Sequence, residues 1–108
     1  MSRKKSAGVV VLFRSRRTDE DPEGYGAMAD EMVARARSMP GFVDFRHYVA
    51  EDGERISVIW WESEELMRGW REDARHQLAQ RLGRERWYAS FEIDVAHVVR
   101  SYGSRDGE

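Results

Sequence analysis

Apolar and polar residues follow one another along this chain in short blocks, and the period of each block indicates its element. Gly8-Val9-Val10-Val11-Leu12-Phe13-Arg14 is a β-branched apolar run and predicts a strand over residues 8–14. Asp19-Glu20-Asp21-Pro22-Glu23 follows, with proline and acids suited to a loop entering the first turn of a helix. Tyr25, Met28, Ala29, Met32, Ala36 and Met39 then recur at helical spacing, and Pro40-Gly41 stops that helix. Residues 42–49 read as a second strand and 56–61 as a third. Between them Glu51-Asp52-Gly53-Glu54 is a hairpin turn with the favoured Asp-Gly pair. Ser63 is placed to cap a second helix that opens on Glu64-Glu65, acids at its positive end, with Leu66, Met67 and Trp70 as its apolar stripe. A helical segment resumes over 74–82, with Leu78, Ala79 and Leu82 inward, and Gly83 ends it. Residues 88–100 read as a long last strand with Phe91, Ile93 and Val95 on one face. The parity slips between Val95 and Val98, which predicts a bulge or a change of partner there.

The order strand, helix, strand, hairpin, strand, helix, strand is the split βαβ pattern. Right-handed crossovers turn it into one antiparallel sheet with both helices on one face. The fold class is therefore α+β, a ferredoxin-like βαββαβ domain over residues 8–102. Residues 1–7 read as a flexible tail and 103–108 as a disordered one. A sheet covered on one side should be polar on the other if that side meets water. Here Val9, Val11 and Phe13 face one way and Val10 and Leu12 the other; Ile56, Val58 and Trp60 oppose Ile59 and Trp61. Both faces call for burial, and a large exposed apolar patch marks an interface. Two sheets packed face to face about a two-fold axis would bury it, so a homodimer is expected.

Composition narrows the function. With 108 residues, 41% hydrophobic and 35% charged, the chain fits one ordinary globular domain. Its net charge of −2 argues against a nucleic-acid partner, and Ser2-Arg3-Lys4-Lys5 reads as a solvated tail. The absence of cysteine excludes disulfides, thiolate zinc sites and cysteine nucleophiles. No apolar run approaches the ~20 residues of a membrane span, and no signal core is seen, so a cytoplasmic location is expected. No Gly-rich phosphate loop follows the first strand and no serine elbow is present. His47, His76 and His97 have no metal-ligand spacing.

What stands out is aromatic content. Trp60, Trp61, Trp70, Trp87 and Tyr88 fall in one third of the chain. They read either as core and interface filling or as the wall of a pocket for a flat aromatic ligand. His76, near the break in the second helix, is the candidate acid, base or axial ligand beside such a pocket. His47, on the face of Phe45 and Val49, is a packing residue or a pocket donor. His97 lies near the parity slip. Arg14, Arg46, Tyr48 and Tyr88 are further polar groups able to reach a cavity.

Several stretches together resemble the antibiotic biosynthesis monooxygenase superfamily, the dimeric α+β barrels. They are Met39-Pro40-Gly41-Phe42, Val58-Ile59-Trp60-Trp61-Glu62-Ser63, Trp70 followed by His76-x-x-Ala79-Gln80, and Arg86-Trp87-Tyr88. Members include small oxygenases that oxidise polycyclic phenols without metal or flavin, in a cavity between sheet and helices. The resemblance implies that Trp70 and His76 line that cavity as catalytic candidates, and that Trp61 or Tyr88 donates to a substrate oxygen. His47 and Phe13 belong to the same wall. It also implies that no cofactor is needed. Another branch degrades heme, with an asparagine on the first strand, a tryptophan on the second helix and a histidine ten residues later. Trp70 matches the tryptophan, but Gln80 stands ten residues on, Phe13 is near the first-strand position, and the chain has no asparagine.

Three readings follow. The first is a cofactor-independent monooxygenase acting on an aromatic or quinol-like molecule. The second is a heme-binding or heme-degrading protein using His76. The third is a non-catalytic dimeric binding module, which a solidly packed Trp70 and His76 would favour.

Overall fold

A computed structural model describes residues 7–104. Apart from Ala7, Gly103 and Ser104, the tails expected at 1–7 and 103–108 lie outside the described residues. Strand β1 (Val9–Arg17) is followed by helix α1 (Pro22–Ser38), β2 (Phe42–Val49), β3 (Arg55–Trp61), α2 (Glu64–Arg71), α3 (Ala74–Leu82) and β4 (Tyr88–His97). The four strands form one sheet in the order β2-β3-β1-β4, and every pairing is antiparallel. This is the expected α+β, ferredoxin-like arrangement.

Local chemistry sets the element ends. Asp21 caps α1, its carboxylate accepting from Gly24 N–H at 3.1 Å, and Pro22 occupies the first turn where its missing N–H costs nothing. After α1, Gly41 turns the chain with φ +87°, and a side chain there would collide with Leu66. Gly41 also accepts the Glu62 N–H, which ties the start of β2 to the end of β3. Ser63 caps α2 through Leu66 N–H at 3.1 Å, and Asp73 caps α3 through His76 N–H at 3.1 Å. Asp73 is thus the reason the second helix breaks where the sequence suggests.

Two boundaries differ from expectation. Gly83 does not end the helix; the chain continues through a π-helical turn, Gly83–Trp87, which brings the Tyr88 ring against Gly83. The register shift lies between Arg16 and Arg17 opposite the start of β4, not between Val95 and Val98, and β4 ends at His97. The long unwound turn delivers the chain to the sheet out of step with β1, so the bulge falls at entry rather than at exit.

Register assigns the faces, since directly opposed residues point the same way. Val9, Val11, Phe13 and Ser15 share the helix-covered face with Trp61, Ile59, Ser57 and Arg55, with Phe45, His47 and Val49, and with Val95, Ile93 and Phe91. Val10, Leu12, Ile56, Val58 and Trp60 lie on the other face, which no helix covers. The core is Ala36, Trp61, Met67 and Trp70, with Val11, Met32, Met39, Phe42 and Ile59 packed against it. Its hydrophobic burial is the main favourable contribution to the fold.

Candidate functional site

The helices do not fill the space above the covered face. A cavity of about 450 Å³ remains between sheet and helices, lined by Phe13, Trp61, Trp70, His76, Tyr88 and His47 among others. That volume is within the range of small-molecule sites. Phe91, Ile93 and Val95 of β4 also line it and are 40–46% exposed, so the cavity opens along that edge strand. The six residues singled out from the sequence as catalytic or cavity-lining all border this space.

One end of the cavity is a column of rings. Phe42 meets Trp61 edge-on at 5.9 Å, Trp61 stacks on Trp70 at 6.5 Å, and Trp70 stacks on His76 at 4.1 Å with the planes 13° apart. His76 is fixed twice. Asp73 caps its backbone, and its Nδ1 lies 3.1 Å from the Trp70 carbonyl oxygen. A carbonyl can only accept, so Nδ1 carries the proton and Nε2 is left with a lone pair when the ring is neutral. Burial holds the imidazolium below the ordinary histidine range, against the opposing pull of the Trp70 carbonyl and the Asp73 carboxylate. Asp73 is itself gripped by Arg35 of α1 through bonds of 2.7 and 3.3 Å, and Arg75 clasps Glu31 of α1 beside it. The histidine thus sits on a helix end anchored to its neighbour.

The other end is built by Tyr25, Phe13, Tyr88 and Trp87. Tyr25 meets Trp87 and Tyr88 edge-on, Phe13 meets Tyr88 edge-on at 5.2 Å, and the Arg17 guanidinium covers Tyr25 at 3.6 Å. Burial, with Tyr25 alongside, pushes the Tyr88 phenol well above its usual range, so Tyr88 keeps its proton as a hydrogen-bond donor. On the sheet floor His47 Nδ1 lies 3.2 Å from Ser57 Oγ, and partial burial together with the Arg55 charge lowers the His47 pKa.

Not every polar candidate reaches this space. Arg14, Arg46 and Tyr48 lie on the opposite face by register, and His97 is exposed beside Glu64 at 3.3 Å. The Trp61 and Trp87 indole N–H groups are buried without a partner among the described residues. The Trp61 N–H is covered by its neighbours and would meet a ligand oxygen only after a shift of those side chains. The sequence reading missed Tyr25, Ser57 and Arg55. Strand parity held the signal for two of them, since Arg55 and Ser57 alternate in step with Ile59 and Trp61.

For a metal, no three His, Cys, Asp or Glu side chains come together among the described residues. For heme, the position ten residues after Trp70 is Gln80, which lines the wall. No helix among the described residues is long and apolar enough to cross a membrane.

The comparison with known proteins agrees with this architecture. Residues 8–82 match the family model described as antibiotic biosynthesis monooxygenase. The chain is 38% identical over 91 residues to the uncharacterized protein YqjZ of Bacillus subtilis, covering 84% of this chain and 79% of that protein. It is 24% identical over 99 residues to the jasmonate monooxygenase of Pyricularia oryzae, covering 90% of this chain but 46% of that longer protein. In fold it is similar to SnoaB of Streptomyces nogalater, a cofactor-independent oxygenase, with TM-score 0.73 and 13% identity over 92% of this chain and 100% of that one. It is also similar to Rv0793 of Mycobacterium tuberculosis, with TM-score 0.77 and 16% identity over 90% and 100%.

Proposed function

The chain belongs to the antibiotic biosynthesis monooxygenase family, and on that premise we propose that it oxygenates a flat aromatic, quinol-like small molecule held between sheet and helices, without a bound cofactor. One observation carries the reading: a histidine held neutral by burial, stacked on a tryptophan and with one free ring nitrogen, stands in the wall of a cavity large enough for fused rings. A solidly packed core would have served a purely structural role equally well.

In this mechanism the substrate ring lies among the aromatic walls near Trp70, which positions it. His76 Nε2 accepts the proton of a ring hydroxyl. The resulting anion is electron-rich enough to reduce dioxygen itself. A hydroquinone plus dioxygen gives a hydroxyquinone plus water: one oxygen atom joins a ring carbon, the other leaves as water, and the ring supplies all four electrons. Tyr88, kept protonated, donates to an oxygen at the far end. The names of two similar proteins, a cofactor-independent oxygenase and a monooxygenase, support the reaction class. The apolar centre of the uncovered face supports a homodimer, with the two sheets facing each other.

The test is turnover of 1,4-naphthohydroquinone under ¹⁸O₂. The expected product is 2-hydroxy-1,4-naphthoquinone carrying one labelled oxygen. His76→Ala should lower kcat/KM about a hundredfold, the lower range for loss of a general base. Formation of unlabelled naphthoquinone at the rate seen without protein would overturn the reading.

A further inference from the structure

Four arginines among the described residues are partly buried: Arg17, Arg35, Arg55 and Arg75. Three of them are satisfied. Arg17 covers the Tyr25 ring and donates to the Trp87 carbonyl; Arg35 binds Asp73; Arg75 binds Glu31. Arg55 alone has no carboxylate, carbonyl or ring partner among the described residues. It stands on the covered face, in the cavity wall, with Ser15, Ser57 and His47 around it. Its charge adds to the lowering of the His47 pKa and works against the raising of the Tyr88 pKa. Taking a guanidinium partly out of water without a counter-charge is costly, and no described residue supplies one to Arg55.

The rest of the wall points the same way. Arg71 and Arg84, both exposed, also line the cavity and have no carboxylate partner among the described residues, whereas Asp30 is the single acid in the wall. A chain with net charge −2 thus lines its cavity with an excess of cations. A cleft of one sign concentrates ligands of the other.

We propose that the substrate of this cavity is an anion: an aromatic hydroxy acid whose carboxylate pairs with the fork of the Arg55 guanidinium while its ring hydroxyl meets His76. The proposal rests on the reading of the cavity as the substrate site, and deepens it by naming the substrate's second polar group.

The probes are 6-hydroxy-2-naphthoate, its methyl ester and 2-naphthol, titrated into the intact protein by intrinsic tryptophan fluorescence and calorimetry. The acid should bind about tenfold more tightly than the ester, the worth of a hydrogen bond to a charged group. Raising the salt from 50 to 500 mM should shrink that preference, and salt alone provides a test should an Arg55 variant fail to fold. Arg55→Gln should bring the acid down to the ester's affinity, Arg55→Lys should restore part of the preference, and Arg46→Gln on the opposite face should keep all of it. Equal binding of acid and ester by the unmodified protein, or a preference that survives Arg55→Gln, overturns the anion proposal while leaving the cavity reading intact. Failure of all three probes to bind overturns both.

Discussion

The two faces of the sheet are made by alternate residues of the same four strands, yet they treat polar groups in opposite ways. On the uncovered face the charges near the hairpin answer one another: Arg14 bonds Glu54 and Arg16 bonds Asp52. On the covered face Arg55 has no counter-charge among the described residues, and His47 pairs with the Ser57 hydroxyl. The apolar groups differ as well. Val10, Leu12, Ile56, Val58 and Trp60 form a continuous patch on the uncovered face, suited to a second sheet. On the covered face the aromatic rings leave a cavity between them. The comparison teaches that one set of strands builds two different surroundings, a flat apolar surface on one side and a cavity with an unneutralised cation among the described residues on the other.

Substitutions on each face can break that contrast. The largest effect is expected at Trp70, which is 5% exposed and packs on both Trp61 and His76. Trp70→Ala should cost about 3–5 kcal/mol in urea unfolding, and Trp70→Phe, which keeps a ring in place, distinctly less. On the uncovered face, Leu12→Asp, at a half-buried position, sets an unpaired charge against a second sheet. It should weaken self-association by about a hundredfold or more, read by sedimentation across a concentration series. Retention of a tight dimer would show that this face is not the interface.

The next effect concerns acidity. Because burial depresses the His76 pKa below its ordinary 6.5, the unfolded chain takes up a proton before the folded one as the pH falls. His76 therefore leaves stability intact above 6.5 and lowers it as the pH drops from 6.5 toward the folded-state value. The acid limb of kcat/KM should likewise lie below 6.5, since the neutral base persists there. The stability difference between the parent and His76→Gln should be constant above pH 6.5 and shift against the parent as the pH falls below it. A smaller effect is expected at the Ser63 cap: Ser63→Ala should cost about 1 kcal/mol. The smallest belongs to the exposed pair on the uncovered face, where Arg14→Ala should leave the unfolding midpoint unchanged.

Much of this was legible in the sequence because it rests on period and on local chemistry. Alternation at Val9 to Phe13 and at Ile56 to Trp61 gave the strands and both faces, and Ser63 and Pro40-Gly41 marked helix ends. The continuation past Gly83 was not legible. Glycine there reads as a stop, but it is needed because the Tyr88 ring lies against it. That approach is a tertiary event with no local signature. The same holds for the site. Trp70 and His76 could be named from spacing and resemblance. That His76 stacks on Trp70, and that no described residue pairs with Arg55, depends on which side chains meet across elements. Arg55 carried a weak trace in strand parity, but a charged residue beside a hairpin turn reads first as surface.

The most direct test of the account is a crystal structure of the protein with 2-naphthol. The account predicts the naphthol ring inside the cavity against the Trp70–His76 stack, its hydroxyl within hydrogen-bond distance of His76 Nε2. A naphthol bound on the uncovered sheet face, or a cavity closed by side chains with the ligand excluded, would contradict it.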